Sequence, residues 1–214
     1  MENQRDIEIG TQRVETLTDG VFAIVMTLLA LELSLPIISV KAVDLELIPR
    51  LIELWPQFYS YILSFLLIGM LWNGHRVEFR YIKRSDGMLV MLTIIYLMFL
   101  TLLPFTTSLL GAYALNRLPL LIFGINFIAI LCSRIAIWRY AVGEHRLVDP
   151  DLSPKLIRTN TLIPLLAIIV AILNSLIAFI SPLAAIIIYY VLVFFYLMVI
   201  IKGAFPGLGI RREK

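Results

Sequence analysis

The chain contains six mostly apolar stretches, each long enough to cross a lipid bilayer as one helix. The hydrocarbon core of a bilayer is about 30 Å thick, so a crossing helix needs about 20 apolar residues. The stretches lie at about 14–35, 51–74, 87–111, 118–140, 156–180 and 183–204. They are continuous rather than alternating, which is typical of helices and not of a transmembrane β-barrel. The sequence therefore predicts an all-α, polytopic membrane protein with one domain of six transmembrane helices over residues 1–214.

Composition supports the same class. Of the 214 residues, 60% are hydrophobic and only 15% are charged, whereas a soluble domain carries about 45–50% apolar and about 25% charged residues. The single cysteine, Cys132, excludes an internal disulfide framework and a cysteine-based metal site. The first residues are polar and acidic and lack a cleavage signature, so we expect no signal peptide to be removed.

The basic residues are strongly biased to one side of the predicted membrane. All but three of the 18 lysines and arginines, namely Lys41, Arg50 and Arg117, fall on the side that holds both termini. Because positive residues concentrate in cytoplasmic loops, both termini are predicted to be cytoplasmic, in a plasma-membrane protein. Membrane topology is a sufficient explanation for these basic residues, so no nucleic-acid partner is expected.

Motifs for enzyme chemistry are missing from the sequence. The two histidines, His75 and His145, are far apart, and neither a His-Glu-x-x-His motif, a Gly-x-Ser-x-Gly motif nor a phosphate-binding glycine loop occurs. A Thr-Val-Gly-Tyr-Gly carbonyl filter is also missing. The ionisable residues cluster at helix ends. We therefore expect no enzyme, no resident metal and no cofactor.

The first apolar stretch carries one coherent stripe of side chains. At about 100° per residue, one face about 100° wide contains Leu17, Gly20, Ile24, Thr27, Leu28, Leu31 and Leu35. Several copies of this helix around an axis would form a narrow aliphatic tube, with Thr27 as the only hydroxyl at mid-depth. The alternative is that the stripe packs against a neighbouring helix, as most apolar stripes do.

Polar residues at the start of this stretch need their own partners. Arg13 and Asp19 are six residues apart and do not share a helix face, so they do not pair with each other. The second stretch ends on the same side with Trp72-Asn73-Gly74-His75. Its indole, amide and imidazole groups are candidates to hydrogen-bond Asp19 or Thr18 and to fix the first helix to the second. The alternative is that Thr18 and Asp19 only cap the first turn.

These residues also carry a family resemblance. The segment Arg13-Val-Glu-Thr-Leu-Thr-Asp19 resembles the Arg-x-x-x-Phe-Ser-Asp signature of the transmembrane protein 175 family, the endolysosomal potassium channels and their prokaryotic relatives. Leu17 and Thr18 stand where that signature has phenylalanine and serine, and Thr18 keeps the hydroxyl. The rest of the first helix and the end of the second are also similar to the family.

The resemblance implies a homotetramer in which the first helices line a central, potassium-permeable pore. It implies a leak-like cation channel with a modest preference for potassium over sodium, whose partners are its own copies, membrane lipids and monovalent cations. The implied pore-lining residues are Ile24, Thr27, Leu28 and Leu31. The implied structural network that holds the pore helix consists of Arg13, Thr18, Asp19, Trp72, Asn73 and His75.

Two other functions remain open from the sequence. The first is a secondary transporter or proton-coupled carrier of the inner membrane, a class that usually shows internal repeats, broken helices and an ionisable residue at mid-membrane. The chain lacks the repeat and the mid-depth charge, although Pro104 and Pro164 leave room for broken helices. The second is a membrane scaffold that conducts no ions.

Overall fold

The computed structural model describes residues 2–33, 37–113 and 115–204, and the side chains of residues 10–33, 37–113 and 115–198. Within this part the regular structure is helical, and the one extended contact is an isolated bridge between Ile82 and Val148. The helices are α1 Glu2–Leu31, α2 Val43–Glu53, α3 Trp55–Phe79, α4 Gly87–Thr101, α5 Leu103–Ala112, α6 Arg117–Val142, α7 Pro154–Ile180 and α8 Pro182–Ala204. Short 3₁₀ turns occupy Val40–Ala42 and Gly143–His145.

The described helices supply four clear membrane spans by length and apolar composition. They are Gly10–Leu31, Gly87–Ala112, Arg117–His145 and Pro154–Ile180. A fifth is available if α2 and α3, which are bent by 48° at their junction, count as one broken span. The predicted sixth stretch corresponds to α8, whose described apolar part, Pro182–Met198, is shorter than the other spans. The chain is therefore an all-α membrane protein.

The first helix begins earlier than the prediction of 14–35. α1 starts at Glu2, because the polar residues before Arg13 are mostly good helix formers and include no proline. It ends at Leu31, and the predicted last turn, with Leu35 and the closing Pro36, lies outside the described residues.

The second predicted helix, 51–74, is wrong at both ends. α2 ends at Glu53, and a new helix, α3, begins at Trp55 and continues to Phe79. Pro56 lies in the first turn of α3, where its missing N–H costs nothing, whereas in one continuous helix it would leave the Ile52 carbonyl without its donor. The chain therefore breaks at Leu54 rather than continuing as one span.

The predicted interruption near Pro104 is present and falls at Leu102. α4 ends at Thr101 and α5 begins at Leu103, with Pro104 in its first turn. The hydroxyl groups of Thr106 and Thr107 both donate to the carbonyl of Leu103, at 3.1 and 2.8 Å. Both hydroxyls are thus satisfied within α5, and the two helices together still form one span.

The last two helices form a hairpin across the short break at Ser181. The amide of Asn174 on α7 donates to the carbonyl of Ala185 on α8, at 3.1 Å. α6 lies close against both helices at Gly124, where an added Cβ would stand 2.6 Å from the Ser175 hydroxyl and 3.2 Å from that of Tyr189. This glycine therefore allows the three helices to approach one another.

The α3–α4 and α6–α7 loops are joined into one unit. Arg84 donates to the carbonyls of His145 and Val148, at 2.9 and 3.0 Å. Asp86 caps α4 by accepting from the Leu89 amide at 2.9 Å, and it also accepts from the Tyr140 hydroxyl of α6 at 2.6 Å. Burial alone would raise the pKa of the Asp86 carboxyl, but these hydrogen bonds outweigh burial and hold the pKa below its usual value.

We expect Asp86→Ala to lower the free energy of unfolding by about 1 kcal/mol, the usual cost of a lost helix cap. Because the pKa of Asp86 is lowered in the folded chain, its contribution is present above the unfolded value of 3.8 and is lost as pH falls through the folded value. Thermal unfolding of the purified chain in detergent should therefore separate variant from wild type at pH 7 and much less near pH 3.

The matched control is Asp151→Ala, because Asp151 is an exposed acid in the α6–α7 loop and makes no hydrogen bond through its carboxyl group within the described residues. Equal destabilisation by the two variants, or a difference that does not change with pH, would contradict the proposed cap.

Candidate pore helix and its contacts

One face of α1 packs against its own subunit. The buried residues recur at intervals of three and four, which is the period of one helix face. They are Thr11, Val14, Thr18, Phe22, Val25 and Leu29. This face lies against α3, α4 and α5, so α1 is held by three neighbours along one side.

The opposite face of α1 is uncovered, and it is the predicted stripe. Leu17, Ile24, Leu28 and Leu31 are all exposed, Ile24 to 59%. Gly20 and Thr27, on the same face, are exposed as well. The alternative that the stripe packs against another helix of the same chain is therefore wrong. What covers this face must be lipid, another copy of the chain or a water-filled path.

The chemistry of the exposed face is almost entirely aliphatic. Thr27 supplies the one side-chain oxygen between Gly20 and Leu31 on this face. Its hydroxyl donates to the carbonyl of Ile24 at 2.8 Å, which turns the hydrogen inward and leaves oxygen lone pairs available. A row of such side chains offers no carboxylate to a passing ion, and it can act through diameter and dehydration.

The predicted link between the first and second helices is present at Asp19. The indole N–H of Trp72 on α3 donates to the Asp19 carboxylate, at 2.9 Å. The Arg76 guanidinium lies over the Trp72 ring at 5.4 Å, and Arg76 also donates to the side-chain oxygen of Asn73 at 3.1 Å. Arg13 is exposed and makes no hydrogen bond or ion pair with the described residues.

Thr18 plays a different role from the one predicted. It is fully buried, and its hydroxyl donates to the carbonyl of Val14 in the preceding turn, at 2.8 Å. Because α1 begins at Glu2, Thr18 and Asp19 lie well inside the helix, so the alternative that they cap its first turn is wrong. Thr18 therefore contributes to the buried packing of α1, and Asp19 forms the hydrogen bond to α3.

Asn73 and His75 make no hydrogen bond to Asp19 or Thr18. The amide of Asn73 donates to the Tyr196 hydroxyl of α8, at 3.0 Å, and so joins α3 to α8. His75 is buried, and neither ring nitrogen has a hydrogen-bond partner among the described residues. The expectation that these groups hydrogen-bond the first helix is therefore wrong, because the turn of α3 points them to other neighbours.

His75 instead forms an aromatic pocket, which we define as His75, Phe79 and Tyr96. Its ring centroid lies 4.1 Å from that of Phe79 and 5.6 Å from that of Tyr96, with the Tyr96 ring nearly parallel. Phe22, from the buried face of α1, enters this pocket with its centroid 6.1 Å from His75 and 6.2 Å from Tyr96. The pocket therefore holds α1 one turn beyond the Trp72–Asp19 bond.

An ion pair that the sequence analysis did not predict lies at the C-terminal end of α3. Arg134 on α6 donates to Glu78 through Nη2 at 2.9 Å and through Nε at 3.1 Å. Gly74 lies directly against the guanidinium group, so any side chain there would collide with Arg134. Arg134 lies within the predicted fourth span, and a charged side chain in a span requires a partner. Its position in the span was therefore the signal in the sequence that could have indicated this ion pair.

The C-terminal part of α3, residues 72–79, therefore contacts α1, α4, α6 and α8 through a different side chain each time. No group of three or more His, Cys, Asp or Glu side chains converges within the part of the chain that the structure describes. The contacts of this segment position α1 against the rest of the subunit.

The sequence of the chain is similar to those of known ion channels. Residues 13–104 match the sequence profile of the family described as the endosomal/lysosomal potassium channel TMEM175. A potassium channel of Chamaesiphon minutus is 33% identical over 142 residues, which are 64% of this chain and 69% of that protein. A potassium channel of Streptomyces collinus is 31% identical over 142 residues, which are 64% of this chain and 68% of that protein.

A solved structure matches the fold as well. The crystal structure of a lysosomal potassium-selective channel TMEM175 homolog from Chamaesiphon minutus superposes with a TM-score of 0.77 at 26% identity. The match covers 88% of this chain and 96% of that one. The chain therefore belongs to the TMEM175 family of ion channels.

Proposed function

We propose that this protein is a potassium-permeable cation channel of the plasma membrane, in which four copies place α1 around a central path. The observation that carries the proposal is the exposed aliphatic stripe on a helix whose other face is fully packed. Two relatives of this chain are named potassium channels, which supports potassium as the permeant ion.

The stripe needs more than one copy of the chain. From Leu17 to Leu31 it extends over about 21 Å at 1.5 Å per residue, which is much of the bilayer core. A single stripe forms one wall and cannot enclose a path. Four copies around an axis, the arrangement that the family resemblance implies, would close that path with α1 from each subunit.

The path would select by size and by the cost of dehydration. Ile24, Leu28 and Leu31 would form successive aliphatic constrictions, and the Thr27 hydroxyl oxygens would provide partial compensation to an ion that has lost water. Potassium loses its hydration water more readily than sodium does, so such a path favours potassium modestly. We therefore expect a leak-like conductance without a carbonyl filter.

In the proposed channel, two kinds of contact hold α1 against α3. Asp19 and Trp72 join α1 to α3 directly, and Phe22 and His75 add the aromatic contact. We propose that this end of α1 faces the cytoplasm, together with both termini, because the basic residues concentrate on that side.

The alternative function is a secondary transporter, and the observation in its favour is the presence of two broken helices. The breaks fall at Leu54 and Leu102. Transporter breaks usually present half-helix ends to a bound substrate or ion, whereas both of these positions carry leucine. Saturable uptake coupled to a second solute would support the transporter over the channel.

The pore assignment predicts a change in permeation when the stripe becomes polar. Ile24→Asn and Leu28→Asn should each alter potassium flux or the potassium-to-sodium ratio several-fold, because an amide in a constriction lowers the cost of dehydration. The measurement is potassium efflux from liposomes that contain the purified protein.

The matched control for these variants is Leu173→Asn on α7, because Leu173 is exposed to 53%, close to the 59% of Ile24, yet lies on another helix. We expect it to leave the flux and the ratio unchanged. If all three variants behave as wild type does, α1 does not line the path.

The Trp72–Asp19 bond predicts coupling between the two residues. Trp72→Phe removes the indole N–H and Asp19→Leu removes the acceptor at nearly the same size, and either change should lower the thermal stability of the folded chain. The double variant should be less destabilised than the sum of the two, with a coupling of about 0.5–1 kcal/mol, typical of one net hydrogen bond.

The control for this cycle is Trp55→Phe, an exposed indole at the other end of α3 with no hydrogen-bond partner within the described residues. It should show no coupling to Asp19→Leu. Strict additivity of Trp72→Phe and Asp19→Leu would contradict a structural role for the bond.

A further inference from the structure

A small cavity lies behind the C-terminal end of α1, on the side away from the exposed stripe. It has a volume of about 50 Å³ and is bounded by α1, α3 and α5. One water needs roughly 10–15 Å³ of such space, so a few water-sized particles fit. Its polar lining comes from Glu32, Gln57, Tyr61, Thr107 and Ser108.

Three oxygen-bearing groups that line this cavity have no partner among the described residues. They are the Glu32 carboxylate and the hydroxyls of Tyr61 and Ser108. The Thr107 hydroxyl, in contrast, is satisfied by the Leu103 carbonyl and by Ser64, at 2.8 and 2.6 Å. The three residues are partly buried, so their oxygens are open to an occupant of the cavity, either water or an ion.

The electrostatics of the cavity favour a positive occupant. Glu32 directly follows Leu31, the last residue of α1, and the C-terminus of a helix carries roughly half a negative charge. The last turn of α1 contains no basic residue, and no lysine or arginine lines the cavity. A carboxylate in this place is destabilised by the helix dipole unless a cation neutralises it.

We propose that this cavity binds one small monovalent cation, held by the Glu32 carboxylate and by the hydroxyl oxygens of Tyr61 and Ser108. Hard cations prefer oxygen ligands of this kind, and a single carboxylate balances a single positive charge. A bound ion joins the C-terminal end of α1 to α3 and α5. The site is separate from the exposed stripe, so it does not depend on the proposed conduction.

The experiment measures thermal unfolding of the purified chain in detergent as potassium chloride replaces N-methyl-D-glucamine chloride at constant ionic strength. The unfolding temperature of the wild type should rise and then saturate with potassium, since a ligand that binds the folded state stabilises it. Glu32→Gln keeps the shape but removes the charge, and should reduce the shift at least threefold. Tyr61→Phe should raise the half-saturating concentration severalfold.

Two controls separate this site from other effects of salt. Glu46→Gln, an exposed acid on α2, should behave as wild type. Leu173→Asn should also keep the full shift, because Leu173 is exposed on α7 and lines neither the stripe nor the cavity.

Equal shifts in wild type and Glu32→Gln would mean that potassium binds elsewhere, and would overturn the proposal. So would the same unfolding temperature in both salts, which would mean that the cavity holds only water. If Glu32→Gln does not fold, Tyr61→Phe and Ser108→Ala decide, and an unchanged half-saturating concentration in both contradicts the site.

Discussion

Polar side chains within a membrane must find their partners inside the protein, because lipid offers none. The C-terminal part of α3 meets this constraint at three polar side chains, each of which reaches a different helix. Trp72 reaches Asp19 on α1, Asn73 reaches Tyr196 on α8, and Glu78 reaches Arg134 on α6. These links leave α3 little freedom to move, and α1 is held by a support that four helices share.

The division of α1 into two faces follows from this support. Its buried face supplies Phe22 to the aromatic pocket and Thr18 to the packing, so the helix cannot turn without breaking contacts with α3 and α4. The aliphatic stripe is thereby fixed outward. A hydrophobic path needs such rigidity, because a constriction that acts through diameter loses selectivity when its walls move.

The sequence was sufficient for the helical class and for which residues of α1 share a face, because both depend on the pattern within one segment, but it left open what that face contacts. It was insufficient for contacts between segments. The bond from Trp72 to Asp19 was predicted, but His75 was expected to donate a hydrogen bond and instead stacks on Tyr96. The Glu78–Arg134 pair was missed, because no local pattern relates two residues that meet only after α3 and α6 have packed.

The most direct measurement of the central claim is block of potassium flux by cadmium at single cysteines, in a background where Cys132 is replaced by serine. Leu28→Cys presents a thiolate on the exposed face of α1, whereas Val25→Cys places it on the buried face. The account predicts that cadmium stops flux through Leu28→Cys and leaves flux through Val25→Cys intact. Block at Val25→Cys, or at neither position, would show that the path runs elsewhere.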